Sequence, residues 1–200
     1  MSKIYLISPP KIELDDFSKS LQIALATGLV PVFQLRLKGY EDSEILKISR
    51  ELKKICHDFN SLFILNDSYK LALEAGADGA HLGAEDGIIA EAKKNSPKNF
   101  VIGASCYDSR HLAVEAAEQG ADYVSFGAFF PSKTKKSRGN PTPEIIEWCA
   151  EIMDLPIVVI GGIDNQNYKI LTEKGADFIA VISYIWQHPK GVEFAVRSFV

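Results

Sequence analysis

The feature that most constrains this chain is where its apolar runs stop. Eight short runs, at 3–8, 30–38, 61–66, 79–83, 100–105, 123–130, 157–161 and 178–183, alternate with segments of helical spacing, and polar residues gather at the run ends. Several runs are apolar throughout, as expected of a strand covered on both faces. Between them, Ile45, Leu46, Ile48, Leu52 and Ile55 fall on one face of a helix, as do Leu112, Ala113, Ala116 and Ala117, and Ile145, Ile146, Cys149 and Ile152. Eight strand-and-helix units point to a (β/α)8 TIM barrel, an α/β fold. Its strand ends all open on one rim, where active sites of such barrels are built. Polar groups scattered in sequence are therefore expected to converge.

A repeat supports the same design. Gly76-Ala77-Asp78, Gly120-Ala121-Asp122 and Gly175-Ala176-Asp177 each close a helix and precede a strand, and the copies stand 44 and 55 residues apart. One βα unit is shorter than that, so each interval is expected to hold two.

At 200 residues the chain suits one barrel domain spanning 1–200, although it is short for that fold. A net charge of −4 argues against a nucleic-acid partner. The local exception is the long polar loop at 132–142, where Lys133, Lys135, Lys136 and Arg138 match a phosphate-sized anion. The run at 4–7 is too short for a signal-peptide core, and no stretch approaches membrane-spanning length. Cys56, Cys106 and Cys149 are odd in number and lack metal-ligand spacing. A cytoplasmic protein with reduced structural thiols and no membrane partner is expected. The sequence is compatible with a homo-oligomer and does not fix the oligomeric state.

The run ends carry the chemistry. Gln34, Arg36 and Lys38 alternate, which sets them on one face of the second strand; Arg binds phosphate oxygens bidentately and Lys acts as a mobile point charge. Asp67 and Asp86 follow neighbouring strands and offer the hard oxygens that suit Mg²⁺ shared with substrate phosphates. Both have a rival reading as helix N-caps, of segments 68–75 and 87–95. Gly161-Gly162 and Ser183 end the seventh and eighth strands, where barrels often bind phosphate, against the plainer reading of a tight turn. Asp164-Asn165 could cap the next helix, and Ser183 a short one at 184–187. Ser105 reads as a donor to phosphate. A nucleophilic role is disfavoured, because no His at the other strand ends is convincingly placed as its base. His81 reads as a hydrogen-bonded strand-end residue, His57, His111 and His188 as surface residues, and Trp148 and Trp186 as packing.

In order along the chain, seven motifs resemble the thiamine-phosphate synthase family over essentially its whole length. They are Gln34-Leu35-Arg36-Leu37-Lys38, Asn66-Asp67, the stretch 76–83 with Glu85-Asp86-Gly87, Gly103-Ala104-Ser105, Pro131-Ser132-Lys133-Thr134-Lys135, Ile160-Gly161-Gly162-Ile163 and Ile182-Ser183. The resemblance implies a barrel enzyme that joins hydroxymethylpyrimidine diphosphate to a thiazole phosphate, giving thiamine monophosphate and pyrophosphate, with Mg²⁺ as cofactor. It also implies that Gln34, Leu35, Arg36, Leu37, Lys38, Asn66, Ser105 and Lys135 hold the pyrimidine diphosphate. Ser132, Lys133, Thr134, Gly161, Gly162, Ile182 and Ser183 would hold the thiazole phosphate, and Asp67 and Asp86 the Mg²⁺. Lys135, Ser105 and Arg36 would act on the reacting groups.

The chain departs from the family pattern in a few places. Ser132 and Lys133 replace the first Thr and the Pro of Thr-Pro-Thr-Lys, which bears on loop rigidity. Leu37 stands where the family is often acidic or polar, and should face away from the mouth. Two alternatives share the barrel. A thiazole tautomerase would carry a His soon after Gly127, where this chain has Ala128-Phe129-Phe130, and need not keep the carboxylates. A barrel that only binds thiamine or its phosphates has no use for Mg²⁺ at a leaving group.

Overall fold

The computed structural model of the chain describes residues 3–85, 87–131 and 139–200. Eight parallel strands close a barrel in sequence order: β1 (Lys3–Ile7), β2 (Val32–Leu35), β3 (Leu62–Asn66), β4 (Gly79–Leu82), β5 (Val101–Tyr107), β6 (Tyr123–Gly127), β7 (Ile157–Ile160) and β8 (Phe178–Val181). The connecting helices are α1 (Leu14–Leu25), α2 (Asp42–Asp58), α3 (Tyr69–Ala75), α4 (Ile89–Asn95), α5 (Arg110–Glu118), α6 (Glu144–Ile152) and α7 (Tyr168–Thr172), with α8 (Ser183–Trp186) and α9 (Val192–Arg197) after β8. Closure runs through β1 and β8, where Tyr5 faces Ala180 in register. The TIM barrel expected from the run pattern is present. Among the described residues, no helix is long and apolar enough to cross a membrane.

Two strands, β2 and β6, fall short of their apolar runs by three residues or more. β2 starts after Pro31, which has no N–H to donate. It ends at Leu35 because β1 gives way to Pro9-Pro10; beyond it, Arg36 N–H donates to Ser8 Oγ at 2.8 Å and Lys38 N–H to the Pro10 carbonyl at 2.9 Å. β6 ends at Gly127, and Phe129 and Phe130 fold over the end of β7 through hydrogen bonds to Ile160 and Gly161 carbonyls. On α6, Ile145, Ile146 and Cys149 are buried as the spacing requires, but Ile152 falls on the last turn and is exposed.

The apolar side chains form two layers. The larger lies between barrel and helices and holds Leu6, Phe33, Leu35, Phe63, Leu82, Phe126 and Val159. The smaller fills the barrel itself with Tyr5, Ile7, Val32, Ile64, Tyr123, Val158 and Ala180. Cys56, Cys106 and Cys149 are buried and unbridged. Burial pushes the Cys149 and Cys106 thiols up, to about 11 and about 12, so they remain neutral packing groups.

The Gly-Ala-Asp repeats sit at the opposite end from the rim and staple strands in pairs. Asp78 accepts the Phe63 N–H at 2.7 Å and donates its own N–H to the Phe63 carbonyl at 2.9 Å. Asp122 does the same to Ile102, and Asp177 to Ile157. Each copy therefore binds an even strand to the odd strand before it, which is why the repeats are two units apart. Asp122→Ala should cost about 2 kcal/mol, the range for a hydrogen bond to a charged group. Urea unfolding should register this as a lower midpoint with an unchanged slope.

Candidate active site

At the strand C-termini the barrel opens into a cavity of about 550 Å³. Its wall is divided. Gln34, Asn66, His81, Ser105 and Ser125, on β2 to β6, present polar groups, whereas the strand-end positions Ile7, Ile160 and Ile182, from β1 and around β7 and β8, present methyls, with Asp164, Ser183 and Gln187 also lining that end. The period of two along each strand accounts for this arrangement: the inward positions one step deeper (Val32, Ile64, Tyr123, Val158 and Ala180) seal the floor.

On the polar side, the Gln34 amide nitrogen donates to Asn66 Oδ1 at 2.7 Å. Asn66 in turn donates from Nδ2 to Asp67 Oδ1, and Lys38 Nζ lies 2.5 Å from Asp67 Oδ2. Asp67 is not a helix cap. Ser68 holds that place, its Oγ accepting the Leu71 N–H at 3.2 Å. Asp67 adopts φ 72°, which turns its half-exposed carboxylate over the cavity. Arg36 also lines the cavity, and its guanidinium makes no hydrogen bond or ion pair among the described residues. That free fork is suited to an anion.

His81 is the hydrogen-bonded strand-end residue expected, but its place beside Ser105 corrects the expectation that no His stands near that serine. His81 Nε2 lies 2.9 Å from Ser105 Oγ, and both line the cavity, so a His does stand beside this serine. The pairing depends on β4 and β5 being adjacent, with His81 opposite Gly103. Tyr123 and Tyr5, whose hydroxyls continue inward from His81, were indistinguishable from other core aromatics in sequence. Leu35 and Leu37, given to the diphosphate with their motif, face away from the cavity, as expected for Leu37. Their side chains lie in the layer between barrel and helices, one step out of phase with Gln34, Arg36 and Lys38, so they do not line the cavity.

Gly161, Gly162, Ile182 and Ser183 all line the apolar end. Gly161 and Gly162 take φ 108° and 61°. A Cβ on Gly162 would lie 2.5 Å from the Pro131 carbonyl oxygen and 2.8 Å from Phe130 Cβ. Bare glycine is therefore what lets this turn pass under the loop after β6. Asp164 Oδ1 accepts the N–H groups of Gln166 and Asn167 and so closes the turn before α7; the N-cap position of α7 is Asn167, so Asp164-Asn165 do not cap that helix. Ser183 is the first residue of α8, with Ile182 in the cap position, one residue earlier than expected. Trp186 ties α8 to β1 through its Nε1–H and the Ile7 carbonyl, at 2.7 Å.

Asp86, Ser132, Lys133, Thr134 and Lys135 lie outside the described residues, as do Lys136 and Arg138. The N-cap position of α4 is Ile88, so this helix begins further on than the 87–95 segment expected. Among the described residues, no group of three or more His, Cys, Asp or Glu side chains is placed to hold a metal ion.

Residues 4–185 match the family model described as thiamine monophosphate synthase. A thiamine-phosphate synthase of Rhodospirillum centenum is 43% identical over 197 residues, covering 98% of this chain and 95% of that protein. One from Erythrobacter litoralis is 43% identical over 203 residues, covering 99% and 93%. Among solved structures, a thiamine phosphate pyrophosphorylase from Pyrococcus furiosus superposes with a TM-score of 0.84 at 33% identity, covering 98% of this chain and 93% of that one.

Proposed function

Because the chain belongs to the thiamine-phosphate synthase family, we propose that its divided cavity holds the two substrates of that reaction side by side. The enzyme is a transferase. The thiazole ring nitrogen forms a bond to the exocyclic carbon of the pyrimidine, the bond from that carbon to the diphosphate oxygen breaks, and pyrophosphate leaves with the electron pair. The attacking nitrogen uses a lone pair and has no proton to lose, so no general base is needed.

The observation that carries this reading is the split of the wall. Arg36, Lys38 and Ser105 face the diphosphate. Gln34, with its NH₂ committed to Asn66, has a carbonyl oxygen left to accept from the pyrimidine amino group. The methyl-lined end beside Ile160 and Ile182 takes the thiazole ring, with its phosphate at Gly161, Gly162 and Ser183. Ser132, Lys133, Thr134 and Lys135 are assigned to the substrates by family resemblance: the first three to the thiazole phosphate, Lys135 to the diphosphate. These groups align the reactants and stabilise charge developing on the leaving group.

Asp67 and Asp86 are proposed as ligands for Mg²⁺. The donor set fits: one or two carboxylates, with substrate oxygens completing the shell, is how this ion is usually held. Asp67 already has a cation, Lys38, against its oxygen. When bound, Mg²⁺ would neutralise charge on the departing diphosphate.

Mixing the two purified substrates with the enzyme, with Mg²⁺ or with chelator, tests both readings. Thiamine monophosphate is expected only with the metal. Equal product in chelator would remove the metal and leave the synthase; no product in either condition would remove both. Gly162→Ala should raise KM for the thiazole phosphate about tenfold or more, because its Cβ cannot fit under the Pro131 carbonyl without shifting the turn and its N–H groups, and should raise KM for the diphosphate by a smaller factor. Steady-state kinetics varying each substrate in turn would separate the two effects.

A further inference from the structure

Behind Ser105 a row of polar groups runs down into the barrel. His81 Nδ1 is 2.9 Å from the Tyr123 hydroxyl, which is 2.6 Å from the Tyr5 hydroxyl. The Tyr5 and Tyr123 rings are buried among Val32, Ile64, Val158 and Ala180. Burial raises both phenols above their usual range, so each keeps its proton. A buried hydroxyl proton without an acceptor is destabilising. Tyr123 is the only hydrogen-bond partner of the Tyr5 hydroxyl among the described residues, so Tyr5 donates to Tyr123. The Tyr123 proton must then go to its other partner, His81 Nδ1. A neutral imidazole that accepts at Nδ1 carries its proton on Nε2, and that N–H donates to Ser105 Oγ. The serine proton is left pointing into the cavity.

We propose that Tyr5, Tyr123 and His81 are positioning residues that hold Ser105 as a hydrogen-bond donor to an oxygen of the diphosphate substrate. The inference rests on the reading of Ser105 as a diphosphate contact. It also settles what the His81–Ser105 pair does. With Nε2 donating, the imidazole does not draw the serine proton, and Ser105 is a donor to an anion, not a nucleophile. Gly103 gains a role as well. A Cβ there would lie 1.9 Å from Tyr123 Cζ and 2.3 Å from its hydroxyl oxygen, so only glycine lets the phenol cross β5 to reach His81.

Nitrogen NMR of substrate-free protein with ¹⁵N-labelled histidine reads the tautomer without turnover, with His81 assigned by its loss in His81→Gln. Wild type is expected to show a bare Nδ1 that accepts a hydrogen bond and a protonated Nε2. In Tyr123→Phe the Nδ1 resonance should move to that of an imidazole nitrogen without a donor, and kcat/KM for the diphosphate substrate should fall about tenfold. In Tyr5→Phe the Tyr123 proton still has one acceptor, so the Nδ1 resonance should stay near wild type and kcat/KM should fall less. Tyrosines that merely fill space would give matched losses and leave the histidine resonance in place. A proton on Nδ1 or on both nitrogens in wild type, or an Nδ1 resonance indifferent to Tyr123→Phe, would overturn the proposal. Full activity in Ser105→Ala would overturn the diphosphate contact itself, a separate failure because the tautomer is measured with no substrate present.

Discussion

Asp67→Asn is expected to fold like the parent protein and to lose about a hundredfold or more in kcat, the scale on which removing one charge-stabilising group acts. Folding should survive for three reasons. The cap of α3 is Ser68, not Asp67. The half-exposed Lys38–Asp67 pair contributes at most about 1 kcal/mol. And φ 72° at this position suits Asn at least as well as Asp. The loss should therefore appear in turnover and in its dependence on Mg²⁺, not in the thermal midpoint. Asp86→Asn should behave alike. If both variants keep parental turnover at limiting Mg²⁺, the metal assignment falls and these carboxylates act otherwise.

Arg36→Ala should be nearly as costly, with kcat/KM for the diphosphate substrate down about a hundredfold, because a bidentate guanidinium contributes two charge-assisted hydrogen bonds. Its backbone N–H is held by Ser8, so the loop should keep its course without the side chain. Arg36→Lys should restore the charge but not the fork, and recover only part of the loss. Parallel measurements on the two variants decide it. If Lys restores full activity, Arg36 is a point charge and the diphosphate is not gripped in bidentate fashion.

Most of this site was legible because strand ends are punctuated. Gln34, Arg36, Asn66, Ser105 and Ser183 each stand where an apolar run stops, and closure of the barrel brings them to one cavity. The misreadings have physical causes. The alternation that sets Gln34, Arg36 and Lys38 inward sends Leu35 outward as it does Leu37, so membership of the motif does not by itself bring a side chain to the cavity. Asp67 could not be told from a cap while Ser68 stood next to it; only the backbone conformation separates them. The row from Ser105 to Tyr5 spans four strands and exists only once the barrel closes. Nothing in one apolar run says which aromatic will find a partner a hundred residues away.

The aspartate staples bear on how the barrel comes apart. They tie β3 to β4, β5 to β6 and β7 to β8. In the β1–β2 pair the equivalent place is taken by Pro31, which stands before β2 as Asp78 stands before β4 and has neither a carboxylate nor an N–H. That quarter is paired but unstapled. β1 is held there by β2 and by β8, a partner from the far end of the chain. In hydrogen exchange the stapled pairs should behave as local cooperative units, with β1 amides among the first strand amides to open. By the same logic, a circular permutant beginning just before β3, with the old termini linked, would keep all three staples within contiguous sequence.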